Sequence, residues 1–265
     1  MTRLTNRYTA LAVVVAAGLL SACGDKTIQD ITEPPPSDSR IRFFNFGVNA
    51  PSVNFYADET KLSAVLSTTG TESTSGVAYG GVSAGGNYFA IAPGQHALMG
   101  KIAAATDKDL AISTVNANIE DGKYYSFYMS GFYNTTTKTV EGFLVEDPFT
   151  VPTDLSTATV RFVNAISNAN PMTLYAKSTT SGAEVPIGEA VAYKSAGAFV
   201  TVPAGAYDLS TRYTGSSTNA LARTGVSFVG GRVYTITARG DINVAPTTTG
   251  CAAANRTCLD NTTNR

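Results

Sequence analysis

A strand-like segment, Arg40-Ile41-Arg42-Phe43-Phe44-Asn45, returns more than a hundred residues later as Thr159-Val160-Arg161-Phe162-Val163-Asn164. The landmarks that follow return in the same order. Pro51 to Tyr56 matches Pro171 to Tyr175, Val77-Ala78-Tyr79 matches Val191-Ala192-Tyr193, Ile91-Ala92-Pro93-Gly94 matches Thr201-Val202-Pro203-Ala204, and Gly122 to Tyr125 matches Gly231 to Tyr234. Ordered recurrence with short insertions marks a tandem duplication. The joint falls near Asp147-Pro148 to Ser156, where Pro and Asp interrupt the pattern. Two copies are too few for a solenoid, which generally needs three or more units to bury a continuous core. The chain is therefore expected to hold two globular domains in series.

Local signals make those domains sheets. Val200-Thr201-Val202 and Tyr234-Thr235-Ile236-Thr237-Ala238 alternate apolar and polar residues, the period of a half-buried strand. Gly- and Asn-rich turns punctuate the runs, as at Gly85-Gly86-Asn87 and Gly230-Gly231, and no long segment keeps a helical apolar period. Each copy has room for about seven short strands, the number expected of an antiparallel sandwich. The expected fold is all-β: two tandem antiparallel β-sandwiches of immunoglobulin-like or transthyretin-like type.

The two copies resemble the bacterial domain-of-unknown-function family 4397. Its members open on an Arg-hydrophobic-hydrophobic-(His/Asn)-Ala strand, matched by Arg42 to Asn45 and by Arg161 to Ala165. Ala50-Pro51 with Phe55-Tyr56 and Asn170-Pro171 with Leu174-Tyr175 follow the family's next element, then Pro203-Ala204-Gly205 and Gly231 to Thr235 its later ones. The first copy departs at the turn, where Pro93-Gly94-Gln95-His96 replaces Pro-Ala-Gly. The resemblance spans about Arg40 to Asp241 and implies a fold without implying an activity.

Ahead of the repeats, Arg3 and Arg7 precede an apolar run from Leu11 to Leu20, then Leu20-Ser21-Ala22-Cys23. That run, about ten residues, is too short to cross a bilayer. A basic start, a short apolar core and small residues before a cut site describe a secretory signal, and the terminal Cys resembles the lipobox of bacterial lipoproteins. Residues 1–22 are expected to be removed and Cys23 to carry lipid, the chain's attachment to a membrane. Gly24 rather than Asp after Cys23 leans toward the outer membrane. Residues 23–39, with Pro34-Pro35-Pro36, form a polar tether. The first domain is placed at 40–147, a linker at 148–157, the second domain at 158–243 and a polar tail at 244–265. Within the tail, Cys251 and Cys258 are expected to pair in an oxidising compartment, a ring worth roughly 2–3 kcal/mol.

Chemistry is sparsely equipped. A formal net charge of -1 leaves no electrostatic footprint for nucleic acid. His96 is the only histidine, so any Ser-His-Asp or Cys-His mechanism must use it. No Gly-x-Ser-x-Gly elbow or His-Glu-x-x-His helix occurs, and no cofactor, metal or catalytic residue is assigned. The local carboxylate pairs Asp58 with Glu59, Asp107 with Asp109, Glu120 with Asp121, and Glu146 with Asp147 are expected to be solvated loop charge. In Lys123 to Tyr133, alternation puts Tyr125, Phe127 and Met129 on one face and Tyr124, Ser126, Tyr128 and Ser130 on the other. If that second face is exposed, Tyr124 and Tyr128 could stack on a sugar or anchor a protein; inter-domain packing is the competing reading. The expected role is a non-catalytic binding or scaffolding protein of the cell envelope. Glycan or protein recognition, and an envelope enzyme, stand as alternatives.

Overall fold

A computed structural model describes residues 39–63, 75–244 and 255–265. Cys23, Cys251, the signal segment and all of the tether but Ser39 lie outside them. The first copy is built from β1 (Arg40–Val48), β2 (Val53–Ala57), β3 (Thr60–Lys61), β4 (Gly81–Val82), β5 (Phe89–Ala90), β6 (Gly94–Ile102), β7 (Ala111–Ile119), β8 (Tyr124–Asn134) and β9 (Thr139–Glu146). The second comprises β10 (Thr157–Asn164), β11 (Met172–Ser178), β12 (Glu184–Val191), β13 (Ser195–Ala196), β14 (Val200–Pro203), β15 (Gly205–Tyr213), β16 (Leu221–Phe228), β17 (Val233–Arg239) and β18 (Cys258–Thr263).

Sheet order is the same in both copies. In the first, β4-β1-β8-β9, with β5 also on β1, faces β3-β2-β6-β7. In the second, β13-β10-β17-β18, with β14 on β10, faces β12-β11-β15-β16. Pairing is antiparallel except between β1 and β8 and between β10 and β17, which run parallel. A parallel pair needs a long crossover, and the chain supplies one by building the opposite sheet between them.

Inward faces fill two separate cores. Ile41, Phe43, Tyr125, Phe127 and Met129 meet Val53, Phe55 and Leu98 in the first. Val160, Phe162, Tyr234 and Ile236 meet Leu174, Leu209 and Phe228 in the second. Two matching core tyrosines keep a polar tip: Tyr125 Oη accepts the Glu120 N–H at 3.1 Å, and Tyr234 Oη accepts the Val229 N–H at 2.9 Å. A buried phenol usually finds such a partner, and for these two each copy supplies it from the backbone five residues upstream.

Three expectations need correction. The tail is not merely polar: β18 is the ninth strand of the second copy, at the edge of its five-stranded sheet and paired with β17 from Tyr234–Thr263 to Arg239–Cys258. The turn match shifts by one residue, since β6 and β15 start at Gly94 and Gly205, making His96 the counterpart of Tyr207. Each copy also has nine strands among the described residues, several only two residues long.

Candidate functional site

The face of β1 and β8 pointing away from the first core is covered by the second copy. Tyr128 is fully buried, stacked between Phe44 at 4.5 Å and Phe143 at 5.0 Å. Phe46, Val163 and Ala165 complete an apolar cluster contributed by both copies. Burying Phe44, Phe46 and Phe143 contributes about 1.5–3 kcal/mol each. Tyr128 is therefore not available to a ligand; alternation identified its face, and the second sheet covers it. Tyr124 is half-buried at the rim, edge-on to Tyr88 and Phe149 at 5.1 and 5.2 Å.

Beside this cluster lies a buried polar network built from matching residues of the two copies. Arg42 and Arg161 are 0% and 1% exposed. Arg42 Nε donates to Ser126 Oγ at 2.9 Å, and Arg161 Nε to Thr235 Oγ1 at 3.1 Å. Arg42 Nη1 crosses to the Thr263 carbonyl at 3.2 Å; Arg161 Nη1 crosses back to the Glu146 carbonyl at 2.8 Å. Each guanidinium lies 4.7 Å from a ring centre, Tyr88 for Arg42 and Phe199 for Arg161. Contacts are thus reciprocal, as across a two-fold axis.

The symmetry breaks at one pair. Asp147 N–H and Asn264 N–H bond the carbonyls of Tyr124 and Val233, each at 2.7 Å, which makes Asp147 and Asn264 counterparts. Asp147 pairs closely with Arg161 and accepts from Ser126 Oγ at 2.7 Å and Tyr88 Oη at 2.6 Å. Asn264 accepts from Thr235 Oγ1 at 2.8 Å and donates to Tyr88 Oη at 3.0 Å. Two buried guanidiniums therefore share one carboxylate, with Arg42 Nε 3.9 Å from it. Asp147, expected as solvated loop charge, is 2% exposed. Burial pushes the Tyr88 phenol well above its ordinary range; the Arg42 cation opposes that shift and the Asp147 charge adds to it.

Elsewhere the candidates are local. His96 Nδ1 lies 2.7 Å from Asp58 Oδ2 and Nε2 lies 2.9 Å from the Ala92 carbonyl. Tyr207, its counterpart, bonds the Pro203 carbonyl at 2.7 Å, likewise four residues back. Both imidazole nitrogens are engaged in holding the turn into β6. Asp58 also accepts the Ala97 N–H at 2.8 Å, and that bond, followed by the one from His96, holds its carboxyl below the ordinary value. Lys123 bridges Glu120 and Glu146 at 2.9 and 3.0 Å. Asp107 pairs with Lys138 at 2.6 Å. Cys258 is 4% exposed in β18. No group of three or more His, Cys, Asp and Glu side chains converges on a metal site among the described residues. None of their helices is long and apolar enough to cross a membrane.

The fold and its seam define a class: a tandem pair of β-sandwiches joined face to face. The family model described as a domain of unknown function, DUF4397, matches residues 39–175 and 158–257. This chain belongs to that family and carries the domain twice. No curated protein matches it in sequence. Among solved structures, the Bacillus anthracis TIE protein is similar at 13% identity and a TM-score of 0.23, over 75% of this chain and 32% of that one. The chain spans about a third of that protein's length.

Proposed function

We propose that this protein is a lipid-anchored component of the bacterial cell envelope that presents a rigid, non-catalytic tandem unit for binding or scaffolding. The observation that carries the reading is the seam. Buried rings and the crossed arginine network join the copies into one body, a form suited to holding surfaces in fixed relation. The only histidine is spent on two local acceptors, which favours binding over acid–base chemistry. Leu20-Ser21-Ala22-Cys23 supplies the address, with lipid on Cys23 and Gly24 favouring the outer membrane. Two or three acyl chains, at about 0.8 kcal/mol per buried methylene, anchor such a body stably. A Cys251–Cys258 disulfide would tie the segment before β18 to that strand; alkylation without reduction, read by mass spectrometry, should leave both cysteines unlabelled.

Photo-crosslinking in cells from position 132 tests the role, because Phe132 is 44% exposed at the end of β8. One dominant envelope protein recovered with the lipoprotein is expected. No crosslink there, nor from Val185 on the opposite copy (39% exposed), would remove the scaffolding reading. Recognition of a glycan is the second reading, favoured by a polar groove where the seam opens.

A further inference from the structure

At one end the seam opens into a groove of about 470 Å3. Asn87 and Tyr88 of the first copy face Asn261, Asn264, Arg232 and Arg265 of the second, and no Asp or Glu lines it. The reciprocal architecture provides an internal comparison. The groove of about 550 Å3 flanking Pro148 and Phe199 has Phe199 where this one has Tyr88, Pro148 where this one has Arg265, and Asp154 in its wall.

Charge differs in the same direction. Arg232 is the counterpart of Lys123, whose ammonium is held by Glu120 and Glu146. The positions matching those carboxylates are Val229 and Thr263. Arg232 is exposed and makes no ion pair among the described residues. Arg265 Nη1 donates only to the neutral Tyr124 Oη, at 3.3 Å. Below the floor, the Arg42 guanidinium lies 4.7 Å from the Tyr88 ring centre, one of two buried cations sharing the single carboxylate of Asp147. A charge held in a low-dielectric interior is poorly screened, and cationic side chains stand below the floor, at Arg42, and along the rim formed by the second copy, at Arg232 and Arg265.

We infer that this groove binds the carboxylate of an acidic saccharide. Guanidinium forks match carboxylates bidentately. Asn87 and Asn261 add side-chain amides to the wall, the kind of group that hydrogen-bonds sugar hydroxyls, and a cavity of this size accommodates one or two sugar rings. The inference deepens the recognition reading and rests on it, whereas the scaffolding role has its own test in the crosslinks from position 132.

The test is calorimetric titration of the full chain in a non-ionic detergent with a uronic-acid disaccharide, its neutral methyl ester and inorganic phosphate. Binding of the acid form is expected, weakened by salt and lost in the ester. Arg232→Gln and Arg265→Gln should each weaken it about tenfold or more, while Lys108→Gln, on an exposed turn of the first copy, should leave it unchanged. Arg232 is exposed and unpaired, so its variant should keep the wild-type circular dichroism. Equal binding of acid and ester, no binding of the acid, or an unaffected Arg232→Gln variant would overturn the site. Phosphate binding as tight as the disaccharide would overturn its saccharide specificity.

Discussion

Replacing Asp147 by Asn changes one atom in shape and removes the only carboxylate shared by Arg42 and Arg161. The carboxylate accepts from Arg161, Ser126 and Tyr88. An amide can present its oxygen to only one side. Facing Arg161 with its nitrogen sets donor against donor; facing the hydroxyls with it makes Ser126 and Tyr88 surrender their donor roles. In either orientation two guanidiniums, 0% and 1% exposed, remain buried without a counter-charge. Breaking a buried pair by removing one partner costs about 3–5 kcal/mol. Urea unfolding should show this as a lower midpoint at unchanged slope. The reciprocal geometry adds a sharper expectation. Asn264→Asp restores a carboxylate at the matching position, so Asp147→Asn with Asn264→Asp should recover at least half of the loss. A cost below about 1 kcal/mol for the single variant, or a double variant no more stable than the single, would refute the account of the seam.

Asp58 predicts a pH dependence. Its folded pKa lies below the ordinary 3.8, so its contribution is present above that value and is lost as pH falls through the folded one. Asp58→Asn keeps a residue that tolerates its φ of 53°, so the stability gap to wild type should be present near neutral pH and close in acid. Tyr88 has the opposite sign: its raised pKa makes its contribution complete below the ordinary 10.0 and lost as pH rises above it. Tyrosinate absorbance should show phenols that ionise only as the chain unfolds, and Tyr88→Phe should cost about 1.5–3 kcal/mol through the bond to Asp147. Gly142→Ala would set a methyl 2.7 Å from Ser113 Oγ and 3.0 Å from Phe127 Cζ; overpacking of this kind costs about 1–3 kcal/mol in a denaturation midpoint.

Much of this architecture is legible before any coordinates. Arg42 and Arg161, Asn45 and Asn164, and Val77-Ala78-Tyr79 and Val191-Ala192-Tyr193 occupy matching places because the duplication preserved strand order. Alternation sorted Tyr125, Phe127 and Met129 into the core, since side-chain direction in a strand is a local property. What covers the opposite face is not local, and the burial of Tyr128 follows only from the docking of the second sheet. Asp147 looked like linker charge because its partners lie on both copies, at Ser126, Tyr88 and Arg161. β18 was missed because 240–257 separates it from β17, where the first copy has a short turn. The counterpart of Asp147 is therefore displaced to Asn264. The parallel pairing of β1 with β8 is likewise a long-range fact that no local period reports.

The functional account depends on Cys23 being the first residue of the mature chain and carrying lipid. Intact-mass and N-terminal peptide analysis of the protein recovered from membranes tests this directly. The account predicts loss of residues 1–22 and a mass increase on Cys23 matching a diacylglyceryl group, both abolished in Cys23→Ala. A mature chain that begins elsewhere, or an unmodified Cys23 thiol on a protein released from the membrane, would contradict it.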